Sequence, residues 1–204
     1  YRRSIVSVKW WEKTVEYLFV KKHVDEESLI IPFDGKEELQ SDGALCVASK
    51  WILIEFKKEK NSIPHEKKKF NDFEAAYEKL HKRDFHHHII YGSPVLNNGS
   101  INLVLKSQTY FSQQLNASIE SLLMTGIEFE AFHSYLKDFV SFKKTTEEDA
   151  GGVVLDTNSN VVGVTSSGRV VECKSMKEYI LEHCPEMAPP PPAPSPGSIM
   201  NGPC

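Results

Sequence analysis

Cysteine is scarce in this chain. Among 204 residues there are four, Cys46, Cys173, Cys184 and Cys204, too few and too scattered for a disulfide framework. No two form a C-x-x-C pair, so no cysteine metal site is expected. Long hydrophobic runs are also missing, which excludes a membrane-spanning helix. No stretch has the make-up of a signal peptide, and we expect an intracellular protein, cytoplasmic or nuclear. The matches to glycosylation sequons, Asn98-Gly99-Ser100 and Asn116-Ala117-Ser118, have no secretory context beside them. Charge of one sign is absent too. With 24 Lys and Arg against 28 Asp and Glu, the formal net charge is −4, which argues against a dedicated nucleic-acid coat and leaves room for a local basic patch. No internal repeat is visible.

What is present is ordinary globular composition, 40% hydrophobic and 25% charged, enough for one large domain or two small ones. Strands are expected at Ser4–Trp10 and Ser28–Phe33. Thr14–Val20 is ambiguous, because Val15, Tyr17 and Phe19 fit period two while Val15, Leu18 and Phe19 fit a helix face. The best hairpin pairs Gly43–Ala48 with Trp51–Phe56, placing Ile52, Ile54 and Phe56 on one face and Trp51, Leu53 and Glu55 on the other. A surface helix is predicted over Glu66–Lys82, from the spacing of Phe70, Phe73, Tyr77 and Leu80. Strands follow at His87–Tyr91 and Ile101–Lys106, and residues 112–142 are mixed. A second hairpin joins Val153–Leu155 to Val161–Val164. A strand Arg169–Cys173 and a helix Ser175–His183 complete the ordered part. Residues 188–204 begin with a proline run and read as a disordered tail, with a peptide-groove ligand as the rarer alternative.

Three segments carry the sharpest motif. Leu45 to Lys57 contains a strand, a turn and Trp51. Ile101-Asn102-Leu103-Val104-Leu105-Lys106 forms a second strand. Glu148-Asp149-Ala150-Gly151-Gly152-Val153 leads into the second hairpin. In this order they resemble the three settings of the triad in trypsin-like serine proteases. The resemblance implies a mostly β fold, a double β-barrel with a short C-terminal helix. It also implies a domain spanning residues 1–187, with sub-barrels near 1–95 and 96–187. The positions that would hold histidine, aspartate and serine hold Lys57, Asn102 and Ala150. A protonated lysine accepts no proton, an asparagine holds no imidazolium, and alanine has no nucleophile. Glu148 replaces an oxyanion-loop glycine ahead of Gly151 and Gly152, putting negative charge where more must develop. The resemblance therefore implies a non-catalytic module, a pseudoprotease holding a protein or peptide partner and needing no cofactor or metal. A live protease carrying a Ser→Ala change at position 150 is a second alternative.

A rival pattern lies in the first hairpin. Asp42, Glu55 and Lys57 make a D-x₁₂-E-x-K arrangement, and Glu12 could supply a further carboxylate. The pattern resembles the PD-(D/E)XK nuclease superfamily. It implies an α/β core, with Mg²⁺ held by the carboxylates and Lys57 beside the attacked phosphate of DNA or RNA. Two residues apart on a strand, Glu55 and Lys57 share a face. The basic run Lys57, Lys58, Lys60, Lys67, Lys68 and Lys69 would suit a phosphate backbone, though a solvated loop explains it as well. Of the histidines, only His86 and His88 could share an ion on a strand, with His81 nearby, and a partly exposed strand is the expected reading.

Overall fold

The computed structural model describes residues 9–24, 48–97, 99–147, 153–155 and 159–187. Its centre is one open sheet in the order β3-β2-β1-β6-β7. The strands are β1 (Lys50–Lys57), β2 (His87–Asn97), β3 (Ser100–Thr109), β6 (Ser159–Val164) and β7 (Val170–Ser175). A separate ribbon pairs β4 (Thr145–Glu147) with β5 (Val153–Leu155). The central pair, β1 and β2, is parallel, with Leu53 opposite His87 and Lys57 opposite Tyr91. A parallel pair cannot be joined by a tight turn. Here the crossover is a 3₁₀ helix, Lys60–Lys69, followed by α2 (Phe73–Leu80).

β1 reads as it must for a strand covered on both faces, an almost unbroken apolar run from Trp51 to Phe56 interrupted by Glu55. Trp51 and Leu53 join Ile89, Tyr91 and Val161 under Phe132, Tyr135, Leu136 and Phe139 of α4 (Phe129–Phe142) and Tyr179 and Ile180 of α5 (Met176–His183). On the opposite face Ile52, Ile54 and Phe56 pack on Val15 and Phe19 of α1 (Glu12–His23) and on α3 (Ile119–Leu123). Val15 and Phe19, four apart, are fully buried while Tyr17 is exposed, so the helical reading of the ambiguous N-terminal segment holds. α5 starts where the sequence places it. Ser175 accepts from the Glu178 N–H at 3.2 Å, and Glu178 accepts from the Ser175 N–H at 2.9 Å, a closed capping box.

A trypsin-like double barrel is ruled out by this topology. A barrel has no edges, whereas among the described residues this sheet ends at β3 and β7, is helix-covered on both faces, and draws its strands from both proposed sub-barrel ranges. The mostly β expectation, and with it the protease resemblance, is corrected to a single mixed α/β sheet. The second predicted hairpin fails, and residues 43–47 of the first lie outside the described residues. β1 has β2 on one edge and β6 on the other. β5 pairs backward with β4 rather than forward with β6. Residues 1–8, 28–33, 42–47 and 188–204, with their expected strands and tail, lie outside the described residues. Among the described residues no helix is long and apolar enough to cross a membrane.

One glycine fixes where β1 ends. A Cβ on Gly92 would sit 2.9 Å from the Lys58 carbonyl oxygen and 2.9 Å from Trp10 Nε1. Its absence lets Trp10 donate to that carbonyl at 2.8 Å and brings the start of α1 against the C-terminal end of β1.

Candidate functional site

At that end of β1 six charged side chains from four parts of the chain converge. Glu55 and Lys57 project from one face of the strand. Glu12 opens α1. Glu66 and Lys69 lie one turn apart on the 3₁₀ helix, where a period of three residues buries Ile63, Glu66 and most of Lys69 along one stripe. Lys143 follows α4. The Lys57 ammonium is the hub: it lies 2.9 Å from Glu55, 2.7 Å from Glu66 and 3.7 Å from Glu12. Lys69 reaches the same Glu55 and Glu66 oxygens at 3.2 and 3.1 Å.

The remaining oxygens are also engaged. Ser159 donates to Glu55 Oε2 at 2.8 Å. Tyr110 donates to Glu66 Oε2 at 2.9 Å and accepts from Lys143 at 3.2 Å. Lys143 also stands over the Phe70 ring, 4.1 Å from its centroid. Glu55, Lys57 and Glu66 are buried, while Glu12 keeps 39% of its side chain exposed and is the open side of the cluster.

Electrostatics follow from this packing. Burial opposes the charge on Lys57, but Glu55 and Glu66 outweigh it and hold its pKa above that of an ordinary lysine. Lys69 is raised in the same way, with Glu55 and Glu66 again overcoming burial. Burial would raise Glu66, yet Lys143, Lys57 and Lys69 bring it down to about 2. Glu12 goes the other way. Its burial raises it more than Lys57 lowers it. Tyr110, buried beside Glu66 and Glu55, is pushed well above its usual range and stays a hydrogen-bond donor.

The structure sorts the residues singled out in the sequence. Glu12, Glu55 and Lys57 come together. Asp42 lies outside the described residues, and the register position facing Glu55 belongs to Ser159. The supposed triad does not assemble among the described residues. Lys57 pairs with Tyr91, which pairs with Lys106. Asn102 is four residues further along β3 and two strands over, roughly 13 Å along and about 10 Å across. Ala150, Glu148, Gly151 and Gly152 lie outside the described residues. The lysine run divides: Lys57 and Lys69 turn inward, whereas Lys58, Lys60, Lys67 and Lys68 are exposed along the rim. His86, His87 and His88 are buried, not on a partly exposed strand, and they hold no shared ligand position. His88 bonds Thr125 and Asn116 at 2.8 and 3.1 Å.

Sequence reasoning missed Glu66, Lys143, Tyr110 and Ser159. Only Glu66 left a trace, as the acidic member of a three-residue stripe inside a basic run. A pocket of about 160 Å³ beside the cluster is lined by Glu66, Tyr110, Lys60 and Phe73. Comparison with protein-family models, curated proteins and solved structures gives no match to this chain.

Proposed function

We propose that this protein is a metal-dependent phosphodiesterase acting on nucleic acid, with Glu12, Glu55 and Lys57 at its centre. The observation that carries this reading is the Lys57 ammonium, held by three carboxylates from three elements at the end of the central strand. Six buried or half-buried charges are a poor stability device, since well-packed apolar residues stabilise a core as well or better. Such clusters concentrate at working sites.

The donor set suits a hard divalent cation, being all oxygen from Glu12 and Glu55, with Glu66 behind. In the present arrangement a lysine ammonium stands where a cation would neutralise these carboxylates, and the carboxylates are spread around it. Loading requires Lys57 to withdraw and Glu12, the exposed member, to turn in. A bound Mg²⁺ supplies Lewis-acid polarisation of the phosphate and a more acidic water. The protein's own side chains do the rest. Lys57 remains protonated and so acts as a cation beside the phosphate oxygens, not as a base. Lys69 holds Glu55 and Glu66 in place. Ser159 fixes the second Glu55 oxygen. Lys58, Lys60, Lys67 and Lys68 line the rim, where a polyanion would bind.

The test is incubation of the full chain with plasmid, single-stranded DNA and RNA in Mg²⁺, Mn²⁺ or EDTA. Cleavage with either metal and none in EDTA is expected. No cleavage of any substrate, or cleavage that survives EDTA, refutes the proposal.

A further inference from the structure

A second cluster lies on the same face of the sheet, between α4 and the C-terminal end of α5. Cys184 caps α5, Glu186 follows it in the 3₁₀ turn Pro185–Met187, and His133 faces them from the second turn of α4. His133 Nδ1 lies 3.2 Å from Cys184 Sγ, and His133 Nε2 lies 3.6 Å from Glu186 Oε1. One ligand atom from each residue falls within 4.8 Å of the others, and these are the only three such residues among those described.

From this geometry we infer a zinc site at His133, Cys184 and Glu186, with a solvent molecule in the fourth position. The chemistry is selective. Sulfur, imidazole nitrogen and carboxylate together form a borderline-soft set that favours Zn²⁺ over Mg²⁺. A tetrahedral ion with bonds of about 2.3 Å to sulfur and about 2.05 Å to nitrogen sets those two atoms about 3.6 Å apart. The pair stands at 3.2 Å and needs only a few tenths of an ångström of opening.

An imidazole gives one mononuclear ion one nitrogen. Nδ1 faces the sulfur, so Glu186 must leave Nε2 and turn to the metal. It is free to do so, with 59% of its side chain exposed. Cys184 is fully buried, and the closed side of the site is the protein core. The Tyr179 hydroxyl, one turn before His183 on α5, is buried with no hydrogen-bond partner. On binding, the Cys184 S–H bond breaks, a Zn–S bond forms, and the proton goes to solvent. The ion would tie α5 to α4, two helices that otherwise meet only through side-chain packing over the sheet.

The experiment is metal analysis and Co²⁺ substitution of the full chain. One equivalent of Zn²⁺ should survive dialysis, and the Co²⁺ form should show a thiolate-to-cobalt charge-transfer band. Cys184→Ala and His133→Ala should remove the band and weaken Zn²⁺ binding roughly 100-fold or more, beyond the loss typical of an outer-sphere partner. Cys173→Ala should change neither. Because Cys184 is buried, Glu186→Gln serves as the exposed variant that leaves packing intact. It should keep a native circular dichroism spectrum, weaken Zn²⁺ measurably, and shift the cobalt spectrum. No retained zinc, a band that survives Cys184→Ala in a folded protein, or a band lost only with Cys46 or Cys204 overturns the site.

Discussion

Lowering the pH from 7 to 5 should cost this fold about 6 kcal/mol, and three adjacent histidines are the reason. Burial pushes His86 and His88 down to about 3 and His87 well below its ordinary value. Neighbouring charges deepen the shift at His86 and His87. In the unfolded chain each titrates near the ordinary histidine value of 6.5. Below that pH the unfolded state takes up protons that the folded state refuses, so stability is complete above 6.5 and drains away as pH falls toward the folded values. Each unit of pH in that window is worth about 1.4 kcal/mol per histidine. Between pH 7 and 5 the loss is about 2 kcal/mol each, and it hardly depends on the folded pKa as long as that lies well below 5.

Three other groups act on this window: burial lowers His23, which adds to the loss, and raises Glu12 and Asp84, which offsets part of it. Glu66 loses its stabilising contribution only as pH falls below 4.5 toward about 2, and Glu12 shifts the opposite way. Against a typical total of 5–15 kcal/mol, the loss is enough to unfold a marginal domain. Urea titrations at pH 7, 6 and 5, read by tryptophan fluorescence, measure it directly. His86→Phe sharpens the test. Neither His86 ring nitrogen has a partner, and its ring packs edge-on to Tyr135 at 4.5 Å, a contact that phenylalanine keeps. The variant should be at least as stable at pH 7 and should lose about 4 rather than 6 kcal/mol by pH 5. A wild-type stability flat between pH 7 and 5, or an unchanged slope in His86→Phe, refutes the reasoning.

Other expectations follow from single contacts. Lys57→Ala strands Glu55 and Glu66 without their central cation and should cost about 3–5 kcal/mol in chemical denaturation, whereas Glu12→Gln at the exposed rim should cost under about 1 kcal/mol. Gly92→Ala forces a methyl to within 2.9 Å of the Lys58 carbonyl oxygen and should destabilise by about 1–3 kcal/mol, seen as a lower Tm. Asp84→Asn should cost about 1–3 kcal/mol. The Asp84 carboxylate receives the Phe111 and Ser112 N–H groups, both at 2.7 Å, and the Ser112 hydroxyl at 2.8 Å.

The sequence made some of this visible. The alternation in Trp51–Phe56 places each side chain on its correct face, and the two-residue spacing of Glu55 and Lys57 brings them together. Ser175 and Glu178 mark the start of α5. What failed was pairing. A strand's faces can be read locally, but its neighbours cannot. β1 pairs with β2 across a helical crossover and with β6, whose Ser159 is 104 residues from Glu55. The protease resemblance arose from the same blindness. Strand segments in a familiar order suggested a barrel, and nothing local betrays a parallel central pair. Glu66 and Lys69 hid inside a lysine run because only the three-residue turn of a 3₁₀ helix turns them inward. Tyr110 and Lys143 reach the site through tertiary packing alone.

The central claim is that the Glu12–Glu55–Lys57 cluster cuts phosphodiester bonds. The most direct measurement compares single-turnover cleavage of end-labelled nucleic acid by wild type and Glu12→Gln at matched Mg²⁺, with both proteins shown to be folded. The account predicts Mg²⁺-dependent cleavage by wild type and a loss of about 100-fold or more in the variant. Equal rates, or no Mg²⁺-dependent cleavage by wild type, would contradict it.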